Sequence, residues 1–217
     1  MQITQELVME FARMGIIYVH LIACCVAIGL VLTSDIGMVM QLFSGDPSER
    51  VDKRHLRQLQ NTVAIALAAL WVSGVAVVLL DASLKGWQYF ANPKLQAKIL
   101  IVVLLTLNGV VLHYRVLPWM LRARSLLKLS YGQSLLAIFA GAVSGVSWFY
   151  AAMLGVGRPL SWKYSLVELM TAYPLLIGAG FFSMLLLTFW AKYRASGEHR
   201  AFQQTMLYVD TRSHARA

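Results

Sequence analysis

The chain is poor in charged residues and in the residues that interrupt helices. Of its 217 residues only 13% are charged, five are proline and two are cysteine, whereas 59% are hydrophobic. Soluble domains carry about 25% charged residues, so this chain has too little polar surface to cover a globule of its size. The scarcity of charge excludes an ordinary water-soluble domain and indicates lipid as the solvent.

The two cysteines do not provide a disulfide framework. Cys24 and Cys25 are adjacent inside the first apolar run, and neighbouring side chains point about 100° apart on a helix.

The amino terminus also lacks the basic region of a cleavable signal, because Glu6 and Glu10 stand there. We therefore expect this segment to be retained as part of the protein.

The net charge of +9 comes mainly from lysines and arginines in short segments between the apolar runs. In a soluble protein such a charge would suggest nucleic acid. Here its placement indicates membrane topology and contact with anionic lipid headgroups. The sequence thus predicts the lipid bilayer as a partner and no nucleic acid, and it leaves open a homo-oligomer or a larger membrane complex.

Five apolar runs are each long enough to cross a bilayer as a helix. They predict an all-α integral membrane protein with a single five-helix transmembrane domain over residues 1–191 and a polar tail over residues 192–217. An amphipathic stripe predicts a short interfacial helix before the first span, formed by Ile3, Leu7, Phe11 and Met14. The predicted spans are 14–43, 62–80, 97–117, 133–154 and 165–191, with Pro118 expected to end the third.

The basic residues also predict the orientation of the bundle. The segments after the first and third spans and the tail, together with Arg115 at the end of span three, hold 13 of the 19 lysines and arginines. By the positive-inside rule the richer side is cytoplasmic. The sequence therefore predicts an amino terminus outside, a cytoplasmic carboxyl terminus, and a multi-pass protein of the bacterial inner membrane.

Ionisable side chains inside the spans are the candidates for function, because they are costly in hydrocarbon. His20, Lys98 and Glu168 lie near the outer ends of spans one, three and five, so an outer-leaflet cluster around His20 is geometrically possible. Asp35 and His113 lie deeper towards the cytoplasm and are candidates for an inner-side polar pair.

The depth of the two histidines limits the cofactors that the chain can hold. At about 1.5 Å per residue, His20 and His113 differ in depth by roughly 14 Å. Two histidines that bind one haem iron stand at nearly the same level, so a single haem cannot join these two within one chain.

Two segments resemble a known family. The stretch Tyr18-Val19-His20-Leu21-Ile22, followed by a run of small residues, is similar to the opening of the bacterial membrane-bound protoporphyrinogen oxidase of the HemJ type. The segment Asn92-Pro93-Lys94-Leu95-Gln96-Ala97-Lys98, leading into residues 104–113, resembles that family's third helix. The related CopD membrane domain is similar to these segments in a general way. The resemblance covers about the first 120 residues.

The resemblance implies a haem-associated redox protein of the membrane-oxidoreductase type. In the HemJ family a transmembrane histidine is implicated in binding haem b, and His20 is the matching position. His20 would then be the metal ligand, with Lys98 pairing with a porphyrin propionate and Glu168 nearby. Two alternatives stay open: a proton- or ion-coupled transporter or non-catalytic membrane subunit, and copper handling through His20, Cys24 and Met153.

The uneven distribution of basic residues generates a test of the orientation. A reporter that is active only in the cytoplasm should be active when fused after Ala217 and silent when fused after Gly86, because these positions flank opposite sides of the bundle. The measurement is reporter activity in intact cells at matched expression. The reverse pattern would overturn the predicted orientation.

Overall fold

The computed structural model describes residues 2–44, 53–123 and 126–214 and consists of five long helices that contact one another. Helix α1 spans Gln2–Ser44, α2 Lys53–Lys85, α3 Pro93–Ala123, α4 Tyr131–Val156 and α5 Leu166–His214. Short 3-10 turns at Trp87–Ala91, Leu126–Lys128 and Arg158–Leu160 lie between them. Within the described ranges there is no β-strand, which confirms the all-α prediction.

All five helices are long and apolar enough to cross a membrane. Their most apolar windows have mean hydropathies between 1.7 and 2.6, and between 11% and 44% of the residues in each window are buried inside the protein. The predicted interfacial segment is not a separate helix, because α1 runs without a break from Gln2 to Ser44. The polar tail continues α5 as a helix as far as His214.

The third helix passes through Pro118 instead of ending before it, which corrects the sequence-based prediction. Helix α3 is α-helical over Pro93–Val111, π-helical over Leu112–Val116 and α-helical again over Leu117–Ala123. In the π segment the Leu117 N–H donates to the Leu112 carbonyl, one residue further back than in an α-helix. A wider turn therefore directly precedes the proline, whose ring and missing N–H disrupt regular α-helix.

Helices α1 and α2 pack antiparallel along a seam of small and polar residues. Arg13 contacts Asp81, His20 contacts Ser73, and Ala27 packs in one cluster with Ala66. The positions on α1 are seven residues apart, as are Ser73 and Ala66 on α2, a spacing that keeps one face of each helix on its partner. The first pair lies near the end of the bundle where α1 begins, called here the Arg13 end; the opposite end is the Ser44 end.

The other three helices pack mainly against one another, with α4 between α3 and α5. Near the Arg13 end Ala97 and Ile101 of α3 meet Tyr150 and Leu154 of α4 and residues of α5. In the middle one layer joins four helices and is called here the apolar layer; it consists of Ala27, Ala66, Leu105 and Trp148. A third cluster, which includes Val116 and Ala137, closes the Ser44 end.

The tight packing of Ala27 generates a prediction about stability. Ala27 is 0% exposed within the apolar layer, so Ala27→Leu should overpack it and lower the free energy of unfolding by about 1–3 kcal/mol. The matched control is Val26→Leu on the neighbouring, 44% exposed position, which should change it by less than about 0.5 kcal/mol. The measurement is SDS-induced unfolding in mixed micelles, and equal effects of the two substitutions would contradict the packing described here.

Candidate functional site

A buried carboxylate ties α1 to α2 at the Arg13 end. The side chain of Asp81 is 6% exposed and accepts hydrogen bonds from Arg13 Nε at 2.8 Å and from Lys85 Nζ at 3.1 Å. Two cations thus share one carboxylate, which satisfies a charge that would be costly if buried alone.

Tyr89, in the turn after α2, joins the same network. Burial, together with the charge of Asp81 and a hydrogen bond to it, raises the pKa of Tyr89 to about 12. Its phenol therefore stays neutral at physiological pH and remains available as a hydrogen-bond donor. The ring of Tyr89 also lies under the Lys85 ammonium, 5.0 Å from the centroid.

His20 is held in one orientation by Ser73 of α2. His20 Nδ1 lies 2.8 Å from Ser73 Oγ, and Ser73 Oγ donates its only hydrogen to the Ala69 carbonyl at 2.6 Å. From this network we assign the hydrogen of a neutral imidazole to Nδ1, which donates to Ser73. The lone pair of Nε2 is then left to accept a proton or to bind a metal.

Lys98 approaches His20 from α3. It interacts electrostatically with both His20 and Cys24 of α1. Its Nζ lies 3.5 Å from the point where a Cβ on Gly155 of α4 would stand, so the ammonium lies against α4 at this glycine. Lys98 forms no ion pair within the described parts of the chain. The structure therefore brings together two of the three residues predicted for the outer cluster.

Glu168 does not join them. It is exposed at the start of α5, where its Oε2 accepts hydrogen bonds from the backbone N–H of Ser165 at 2.8 Å and from the Ser165 hydroxyl at 2.9 Å. The Glu168 N–H in turn donates to Ser165 Oγ at 3.3 Å. This reciprocal arrangement is a helix-capping contact. Glu168 is therefore not part of the predicted outer cluster, since its carboxylate caps its own helix.

The predicted pair of Asp35 and His113 is not formed either. His113 Nδ1 is hydrogen-bonded to Gln60 of α2, whereas Asp35 Oδ2 lies 3.4 Å from the point where a Cβ on Gly145 of α4 would stand. The two side chains face different helices, which depth alone did not reveal.

The separation in depth of the two histidines does hold, because their partners Ser73 and Gln60 are 13 residues apart on α2, about 20 Å.

A conventional metal site is not seen. No three His, Cys, Asp or Glu side chains of the described residues lie close enough together to hold a metal ion. Cys24 is half-buried and its neighbour Cys25 is exposed. Met153, the third residue of the copper hypothesis, lines a groove of about 550 Å³ between α4 and α5. The geometry gives no support to copper binding by these residues.

A haem requires fewer protein ligands, and the donor set around His20 is compatible with one. Its free Nε2 is the usual axial donor. The bond from Nδ1–H to Ser73 is of the kind that orients a ligating imidazole and makes it a better donor. The Lys98 ammonium offers a cation for a propionate. His20 would therefore hold such a group, and Ser73 would orient the His20 imidazole. Lys98 would neutralise a propionate of the group.

Three residues of this region were not among the candidates that the sequence indicated: Arg13, Ser73 and Gly155. The seven-residue steps from Arg13 to His20 and from His20 to Ala27 were a usable signal for the face that meets α2. Nothing local marks Gly155, whose importance depends on the position of Lys98 on another helix.

Compared with protein-family models, curated proteins and solved structures, the chain matches none of them.

The Asp81 network generates a prediction about stability. Asp81→Asn removes the charge that Arg13 and Lys85 share, and it should lower the free energy of unfolding by about 1–2 kcal/mol, a partial loss because both cations remain partly exposed to solvent. Glu10→Gln, a substitution of an exposed carboxylate on α1, is the control and should have little effect. Unfolding midpoints in detergent measure both, and an unchanged midpoint for Asp81→Asn would show that the network does not stabilise the fold.

Proposed function

We propose that this chain is a small multi-pass protein of the bacterial inner membrane that binds haem b through His20 and takes part in electron transfer. The observation that carries the proposal is the orientation of His20, whose Nδ1 is fixed by Ser73 while its Nε2 lone pair has no assigned donor. When bound, the haem supplies one-electron redox chemistry. The amino terminus outside and the carboxyl terminus in the cytoplasm belong to the same proposal.

The chain's own residues have separate parts in this proposal. His20 binds the iron, and Ser73, acting through Nδ1, is a positioning residue. Lys98 neutralises a carboxylate of the cofactor, since its ammonium lies within electrostatic range of His20 and has no counter-ion in the described chain. The pair of Arg13 and Asp81, about two helical turns from His20, closes the α1–α2 seam at the Arg13 end and limits the access of water.

The resemblance of the first 120 residues to the HemJ-type oxidases supports the same assignment from the sequence side. It rests on the two segments around His20 and Lys98, and these two residues are the ones that come within electrostatic range of each other. Glu168 has no part in the proposed site, because it caps α5. Oxidase activity on a porphyrinogen is a narrower hypothesis that requires its own assay.

The test is a reduced-minus-oxidised visible spectrum of the full-length protein, purified in detergent after expression with ample haem supply. The wild type should show a b-type spectrum. His20→Ala should abolish it because the axial ligand is lost, whereas His113→Ala should leave it intact, since His113 lies about 20 Å away in depth. A colourless wild type would refute the haem proposal and favour the transporter or subunit class.

Ser73→Ala separates a positioning role from a purely structural one. It removes the acceptor of the Nδ1–H bond and leaves His20 in place, so haem should still bind, with an affinity about tenfold weaker and a shifted midpoint potential. Ser83→Ala on the exposed face of the same helix is the control. If Ser73→Ala changed neither the affinity nor the potential, Ser73 would not act on the cofactor.

A further inference from the structure

Asp35 is the one carboxylate in the apolar stretch of α1 from Met14 to Phe43. It lies nine residues, about 14 Å, before Ser44 and 28 residues, about 42 Å, after Leu7. It is half-buried, and it is distinct from the region of His20, which lies 15 residues away on the same helix. Nothing in the proposed haem function uses it.

The helices packed against this part of α1 offer Asp35 no counter-charge. Its Oδ2 meets α4 at Gly145, and α4 has no Asp, Glu, Lys, Arg or His between Tyr131 and Val156. Helix α5 has none between Thr171 and Ala191. The hydroxyl groups of two tyrosines of these helices already have partners. Tyr150 donates to the Leu169 carbonyl of α5, and Tyr173 is hydrogen-bonded to Ser147 of α4.

The charged and titratable groups of α2 and α3 at this end do not pair with Asp35 either. His113 is bonded to Gln60, and Arg57 and Arg115 are exposed. Arg54 is exposed too, while the side chain of His55 lies outside the described residues. No ion pair to Asp35 is found among the residues that the structure describes.

An ionised carboxylate without a partner is unfavourable in hydrocarbon, so it is stabilised by binding a cation or a proton. Calcium takes six to eight oxygen ligands, and magnesium requires a near-octahedral shell. Asp35 is not part of any group of three acidic or histidine side chains in the described chain. A proton carries one charge and requires no further ligands, so it is the species that fits a single carboxylate against a glycine.

The apolar layer limits the route to this site. Ala27, Ala66, Leu105 and Trp148 fill the centre of the bundle, and Ala27 lies two helical turns from Asp35 in the direction of the Arg13 end. Water from that end would have to cross this layer, whereas the Ser44 end is about 14 Å away. We propose that Asp35 is a proton-binding site that exchanges its proton through the Ser44 end of the bundle.

The first test is direct detection of the proton. Infrared difference spectra of the full-length protein in lipid nanodiscs, recorded between acidic and alkaline pH, should contain the carbonyl stretch of a protonated, partly buried carboxylic acid. The band should vanish in Asp35→Asn, remain in the exposed-carboxylate control Glu10→Gln, and shift in frequency in Asp35→Glu. A wild-type spectrum that is indistinguishable from that of Asp35→Asn would overturn the proposal, whether or not the protein binds haem.

The second test concerns the route. Asp35→Cys is introduced into a chain with Cys24→Ala and Cys25→Ala, and the protein is reconstituted in vesicles with known orientation. A membrane-impermeant thiol reagent should label it from the side that carries Ser44 and not from the side that carries Arg13. Labelling from the Arg13 side, from both sides or from neither would overturn the proposed route.

Discussion

The fold depends on one constraint: polar groups placed in an apolar solvent must find their partners inside the bundle. The seam between α1 and α2 meets this constraint twice, with Asp81 shared between two cations and with His20 bonded to Ser73. Because these contacts are seven residues apart on α1 and eight apart on α2, each one fixes the rotation of both helices for the next. The apolar layer then continues the same face with alanines that allow close approach.

Helix α4 contacts polar side chains of other helices at its glycines. It has no charged residue, and two titratable side chains of other helices, Lys98 and Asp35, both meet it at glycines. Gly155 and Gly145 are ten residues apart, about 15 Å along the helix axis, and the apolar layer crosses α4 between them at Trp148. The bundle therefore keeps a basic site and an acidic site apart at two depths along one neutral helix.

The number and approximate limits of the helices could be predicted from the sequence because long apolar runs have few alternatives in a bilayer. The partners of the polar side chains could not. Depth placed Asp35 beside His113, but the rotation of each helix turns one towards Gly145 and the other towards Gln60. Pro118 was predicted to end its helix, since a π segment that accommodates a proline depends on packing and leaves no signal in composition.

The π segment of α3 has a consequence for how this part of the chain tolerates insertion and deletion. Its turn contains one residue more than an α-helical turn, which rotates everything after it by about 100° relative to an unbroken α-helix. Val116 and Trp119 pack at the Ser44 end in this rotated frame. Deleting a single residue between Leu112 and Val116 would therefore restore regular α-helix and leave both side chains in their cluster, whereas deleting a residue between Val116 and Trp119 would rotate Trp119 out of it. The π segment is thus the place in α3 where the loss of one residue is tolerated.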